Sequence, residues 1–190
     1  RSDRWPGADF WEPQARKGTN LDAILARCEV VDVGIDGGGL DDLLGLSVVG
    51  RDAESREWLS WSHGWAHPSV LERRKSEAER FRDFARDGDL TLVKQVGDDV
   101  ADVAAICAEI EEAGLLDKVG LDPAGVGSIL DALVQAGVPQ DKIIGGQATL
   151  ETEKKNIAGL VLTHGHEDHI GAVLDLWPRL KCPIYTTGFT

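Results

Sequence analysis

Apolar and polar residues alternate across residues 57–65, placing Leu59, Trp61, His63 and Trp65 on one face. That period of two predicts a half-buried β-strand. The apolar run 30–35, ending at Asp36, predicts an earlier strand, and 43–49 predicts one between them, with Gly37-Gly38-Gly39 as the intervening loop. Three strands in series with short turns read as an antiparallel meander. Before them, Thr19-Asn20 caps a short helix over 21–28, and the preceding segment is aromatic and irregular (Trp5, Phe10, Trp11). After them the period changes. Pro68 suits a first helical position, and Val70, Leu71, Ala78, Phe81, Phe84 and Ala85 form an amphipathic helical face. Residues 91–93 read as a short strand. Asp98-Asp99 caps a helix through Val100, Val103, Cys107 and Ile110, closed by Gly114. Residues 119–121 form a strand that delivers Asp122. A helix carrying Ile129, Leu130, Leu133 and Val134 stops at Gly137, and Ile143-Ile144 is one more strand.

The texture changes near residue 147. Residues 151–156 are a charged connector, 157–162 a buried-type strand, 170 to about 176 a helix ended near Pro178, and 183–186 a last strand. The expected division is therefore 1–147 and 148–190, joined at 147–156. A lone strand–helix–strand unit cannot cover both faces of a parallel pair. Ile157, Leu160, Leu162, Val173, Leu176 and Ile184 should stay partly exposed unless the segment adds strands to the first sheet.

Composition bounds these readings. With 190 residues, 42% hydrophobic and 28% charged, the chain can bury an ordinary soluble core. No run approaches the ~20 apolar residues of a membrane span, and the N-terminus has no apolar signal region. There is no methionine, even at position 1, which reads as a piece of a longer protein. Cys28, Cys107 and Cys182 are odd in number and widely spaced, giving neither a disulfide framework nor a zinc clip; a reducing cytoplasm is the expected location. A net charge of −13 disfavours tight nonspecific nucleic-acid binding, so this piece alone should hold DNA weakly.

Two groups of residues carry chemistry. Asp36 and Asp122 each end a predicted strand. Hard carboxylate oxygens suit Mg²⁺ or Mn²⁺, and a pair of such ions can activate water and stabilise the leaving oxygen in phosphodiester hydrolysis. An Asp before glycines is also an ordinary turn residue, and pattern alone leaves both roles open. The blocks at 6–11, 33–46 (Val-Gly-Ile-Asp-Gly-Gly-Gly-Leu-Asp-Asp-Leu-Leu-Gly-Leu), 65–75 and 120–125 (Gly-Leu-Asp-Pro-Ala-Gly) occur in this order. Together they resemble the nuclease domain of phage terminase large subunits over residues 1–147. The resemblance implies an α/β, RNase H-like mixed sheet flanked by helices that cuts double-stranded DNA during genome packaging, with other terminase or portal components as partners, in the host cytoplasm. It implies Asp36 as the first metal ligand and Asp122 as the second. The family's third acidic residue lies further along, and no matching segment follows Gly146, so this domain looks incomplete at its C-terminus. No GxxxxGK[ST] motor loop is present.

The second group is His164-Gly165-His166-Glu167-Asp168-His169, an H-x-H-x-D-H run after an apolar strand. The spacing lets His164 and His166 share one ion while Asp168 and His169 face another, and the donor set suits Zn²⁺ or Mn²⁺. Residues 159–190 resemble the metallo-β-lactamase fold, the ribonuclease J group in particular, as a strand–loop–helix–strand fragment; 174–180 and 182–185 carry the closer likeness. The fold's remaining ligands come from later in its chain. His63 and His67 read as core or cap residues. Gly37-Gly38-Gly39 lacks the Lys and helix of a phosphate loop, Trp58, Trp61 and Trp65 read as core packing, and Glu109–Glu112 as a solvated helix face. A natural fusion, a frameshifted or misassembled reading frame and a deliberate joining all give this order. The functional readings are a metal-dependent DNA endonuclease, a ribonuclease J-like zinc hydrolase fragment, or an inactive interaction module of a packaging complex.

Overall fold

The computed structural model describes residues 13, 18–38, 40, 42–121, 126–145, 154–162, 170–171 and 173–186. The chain folds as two compact units, Arg1–Ile144 and Gly145–Thr190.

In the first unit, Asn20 accepts a hydrogen bond from the Ala23 N–H and starts α1, Leu21–Arg27. The meander follows: β1 Cys28–Gly37, β2 Leu44–Asp52 and β3 Trp58–Ala66, each pair antiparallel. The predicted amphipathic face divides into two helices, α2 Pro68–Arg73 and α3 Ala78–Asp87. His67 caps α2, its side chain accepting the Ser69 N–H, which is the cap role expected for it. Next come β4 Leu90–Leu92, α4 Asp98–Glu112, β5 Leu116–Leu121, α5 Val126–Gln135, a 3₁₀ turn Gln140–Lys142 and β6 Ile143–Gly145. The cap of α4 differs from expectation. Gly97, in the left-handed region at φ 95°, holds that position, and the Asp98 carboxylate turns back to the Gln95 N–H.

The sheet order is β4-β3-β2-β1-β5-β6, with β5 parallel to β1. An antiparallel meander with β5 added parallel to β1 on its other side is an RNase H-like arrangement. One face is covered. Val31, Val33 and Ile35 of β1, Leu46 and Val48 of β2, Leu59 and Trp65 of β3, and Val119 of β5 bury against Ile24 of α1, Val103, Cys107 and Ile110 of α4, and Ile129 and Leu133 of α5. Ala66, of opposite parity, lies in a second cluster with Val70, Phe81 and Leu90, so α2 and α3 pack at the β3–β4 end. Helices therefore flank the sheet.

Trp58 departs from its expected core position. Its parity is even, it is 60% exposed, and the Arg51 guanidinium lies 4.9 Å from its ring centre. Ile110 is fully buried, so the run Glu109–Glu112 is not wholly a solvated face; Glu111 pairs with Lys142 at 2.6 Å.

In the second unit, β7 Leu160–Leu162 pairs in parallel with β8 Ile184–Thr186, and α6 Val173–Leu180 lies between them in sequence. These strands form their own two-stranded sheet rather than extending the first. The helix also runs through Pro178, where sequence placed its end. Ile157, Leu160, Leu162, Val173 and Leu176 are half-buried and Ile184 is exposed, as a pair lacking cover on both faces requires.

Candidate active site

Asp36 is the penultimate residue of the central strand β1. Alternation turns Val31, Val33 and Ile35 into the core and leaves Asp32, Gly34 and Asp36 exposed on the other face. The cross-strand partners on that face are small. Asp36 opposes Gly45, which opposes Gly64; Gly34 opposes Ser47 and Gly120, and Ser47 opposes Ser62. A Cβ built at Gly34 would meet nothing within 4 Å, and one at Gly120 only the Val33 carbonyl at 3.8 Å. The sheet is thus low and open beside the Asp36 carboxylate.

The loop leaving Asp36 is tied down. Gly37 has φ 79°, and a Cβ there would lie 2.2 Å from the Leu43 carbonyl oxygen, so only glycine fits. The Gly38 N–H donates to that same carbonyl at 2.8 Å. From α2, the Ser69 hydroxyl donates to the Leu40 carbonyl at 2.6 Å, and Arg74 donates to the Asp42 carboxylate at 2.9 Å. The helix capped by His67 therefore clamps the loop that follows Asp36.

On the other side, Ile35 opposes Leu121 in parallel register. In the sequence Asp36 follows Ile35 and Asp122 follows Leu121; Asp122 itself lies outside the described residues. His164, His166, Asp168 and His169 also lie outside them. Among the described residues, no three His, Cys, Asp or Glu side chains gather as a metal site. Asp36 is the one member of the expected ligand set whose position is described: an exposed oxygen donor with unobstructed space beside it, which fits a hard divalent cation.

Sequence reasoning missed Asp32. It shares the face of Asp36 and lies at a register shift, where Val31 opposes Leu116 and Val33 opposes Val119. Desolvation and the nearby Asp117 raise its pKa, while the Lys118 N–H, donating to Oδ1 at 3.2 Å, opposes that rise. The even spacing from Asp36 was the available signal. His63 is half-buried, 2.9 Å from the Thr91 hydroxyl, stacked on Trp61 and edge-on to Trp65. Trp65 donates its indole N–H to Asp102 at 3.0 Å. Burial lowers the His63 pKa against Asp89, Asp102 and a Gly88 backbone bond, in keeping with the core role expected of it.

Comparison with known proteins finds similarity of two kinds. The metallo-beta-lactamase superfamily model matches residues 129–187, a span that begins inside α5 of the first unit. Ribonuclease J of Sinorhizobium meliloti (strain Sm2011 / Rm2011 / 2011) is 42% identical over 50 residues, which is 26% of this chain and 9% of that protein. Ribonuclease J of Helicobacter pylori (strain ATCC 700392 / 26695) is 45% identical over 47 residues, 25% of this chain and 7% of that protein. The chain thus spans less than a tenth of the length of these curated relatives. Among solved structures, the HK97 bacteriophage large terminase aligns with a TM-score of 0.49 at 16% identity, covering 87% of this chain and 32% of that one.

Proposed function

We propose that residues 1–147 form a metal-dependent endonuclease domain acting on double-stranded DNA, of the terminase large-subunit kind, with Asp36 and Asp122 as its acidic ligands. The single observation that supports this most is the Ile35–Leu121 parallel register, each of these residues being followed in the sequence by an aspartate. Asp36 would hold Mg²⁺ or Mn²⁺ through its carboxylate, and the bound ion would supply activation of water and stabilisation of the leaving oxygen. The chain's own contribution is positional. The α2 clamp fixes the loop after Asp36, and the small residues beside it leave space for a phosphodiester backbone. With a net charge of −13, DNA is held weakly by this piece alone, and other packaging components would supply the basic surface. Plasmid nicking in Mg²⁺ or Mn²⁺ tests the reading. Asp36→Asn keeps the shape and removes the charge, and it should abolish cleavage; equal cutting by parent and variant removes Asp36 from the site.

A second reading rests on the ribonuclease J identity over 50 residues and the metallo-beta-lactamase match to residues 129–187. There, residues 148–190 are a fragment of a zinc-dependent hydrolase, with His164, His166, Asp168 and His169 as ligands. So partial a donor set should bind zinc much more weakly than a complete two-metal site. Titration against a competing zinc indicator decides it: stoichiometric, tight uptake of two ions per chain would favour this reading over the first.

A further inference from the structure

Serine is a preferred N-cap residue, yet in α2 the cap is His67 and Ser69 lies two residues on. His67 Nδ1 accepts the Ser69 N–H at 3.3 Å, so the helix start does not need the Ser69 hydroxyl. That hydroxyl donates instead to the Leu40 carbonyl at 2.6 Å, with His67 Nδ1 2.9 Å from its oxygen. We infer that Ser69 is a positioning residue for Asp36: by holding the loop that follows β1, its hydroxyl sets the affinity of the Asp36 carboxylate for Mg²⁺ or Mn²⁺. This rests on Asp36 being a metal ligand, as proposed above.

The path from Ser69 to Asp36 is continuous. Val70 is fully buried with Ala66, Phe81 and Leu90, which anchors α2 to the β3–β4 end of the sheet. Ser69 carries that anchor to Leu40. Farther along the same loop the Leu43 carbonyl accepts the Gly38 N–H at 2.8 Å, and Leu44 pairs with Gly37, the residue after Asp36. The held loop therefore limits the backbone that aims the carboxylate. An ion that meets a ligand already ordered does not bear the entropy of ordering it. Arg74 reaches the loop too, at Asp42, but those side chains are 40% and 56% exposed, and ion pairs so exposed contribute little. Asp42 also accepts the Leu43 N–H at 2.9 Å, a contact that survives without Arg74. Ser69 is half-buried and makes the shorter bond, so the larger effect falls to Ser69.

The test compares the whole chain with Ser69→Ala, Ser69→Thr, Arg74→Ala and Asp36→Asn. Two quantities are read: Mn²⁺ affinity, from the paramagnetic resonance signal of the free ion, and amide exchange at Gly38 in metal-free protein. Ser69→Ala should weaken Mn²⁺ binding about tenfold and speed exchange at Gly38, leaving exchange at Val33 in β1 unchanged. Ser69→Thr keeps a hydroxyl and should recover both, and Arg74→Ala should have the smaller effect. Asp36→Asn should lose the ion. Unchanged affinity or unchanged Gly38 exchange in Ser69→Ala overturns the role of Ser69. So do faster exchange at Val33 as well, a Ser69→Thr variant as weak as Ser69→Ala, or a larger loss in Arg74→Ala. In each of those cases a loss of Mn²⁺ in Asp36→Asn leaves the Asp36 reading standing. Equal Mn²⁺ binding by the parent and Asp36→Asn removes that reading, and the role of Ser69 with it.

Discussion

Arg27 and Asp52 join the end of α1 to the end of β2: Nε lies 2.9 Å and Nη2 2.6 Å from Oδ2, while Oδ1 accepts the Glu54 N–H at 3.0 Å and the Ser55 N–H at 2.8 Å. Asp52 is only 3% exposed. The Ser55 N–H above all, with Arg27 and Glu54 and against the cost of burial, lowers its pKa to about 2. Because the folded value lies below the ordinary 3.8, the carboxylate contributes stability above that pH and loses it as pH falls toward about 2. Asp52→Asn should therefore melt below the parent at neutral pH, with the gap closing between those two values. A gap that stays constant down to the lower value would show that the charge is not the stabilising element.

Gly34 and Gly50 should respond oppositely to the same added methyl group. At Gly50 a Cβ would lie 2.5 Å from the Cys28 sulfur and 3.1 Å from Ile24, in the covered layer. Gly50→Ala should cost about 1–3 kcal/mol by overpacking. At Gly34 the added atom meets open space, so Gly34→Ala should leave the melting temperature level or raise it, alanine losing less backbone freedom on folding than glycine. A destabilised Gly34→Ala would show that something covers this face.

Leu133 tests the affiliation of α5, which the metallo-beta-lactamase match and the first unit's core both include. It is fully buried in that core. Leu133→Ala should cost about 2–5 kcal/mol and lower the denaturation midpoint of the first unit. Chain ending after the 146th residue should keep the parent's transition. If instead the truncation destabilises the first unit as much as Leu133→Ala does, residues 147–190 are part of its fold.

His63 gives a pH signature in a different window. Its folded pKa lies below 6.5 because the ring is desolvated between β3 and β4. The unfolded chain takes up the proton first. This histidine therefore leaves stability undiminished above pH 6.5 and erodes it as pH falls below that value. Imidazole titration by NMR should place His63 below 6.5. An ordinary value at His63 would contradict its burial.

The meander and the parity of its strands were legible because period-two alternation survives wherever one face is wet. The same parity puts Trp58 on the open face, where weight given to residue type alone placed it in the core. Asp32 was missed because a single carboxylate inside the run 30–35 reads as an interruption; only the register shift against β5 shows that it has its own backbone partner. Pro178 reads as a helix stop, yet the carbonyl its missing N–H leaves without a donor belongs to Leu174, which is 85% exposed. Strand β7 is shorter than its apolar run because β8 offers only three partners. Of the expected ligands, only Asp36 falls where the structure describes it.

The parallel pairing of β1 with β5 also sets an order of folding. Neighbouring residues build the β1–β2–β3 meander, whereas Val33 and Ile35 must wait for Val119 and Leu121 to be made and brought back. Closing so long a loop slows the step. On the ribosome, the central strand that carries Asp36 therefore passes through a stage with one edge unpaired. That stage leaves the strand's free edge open to pairing with other copies of the chain.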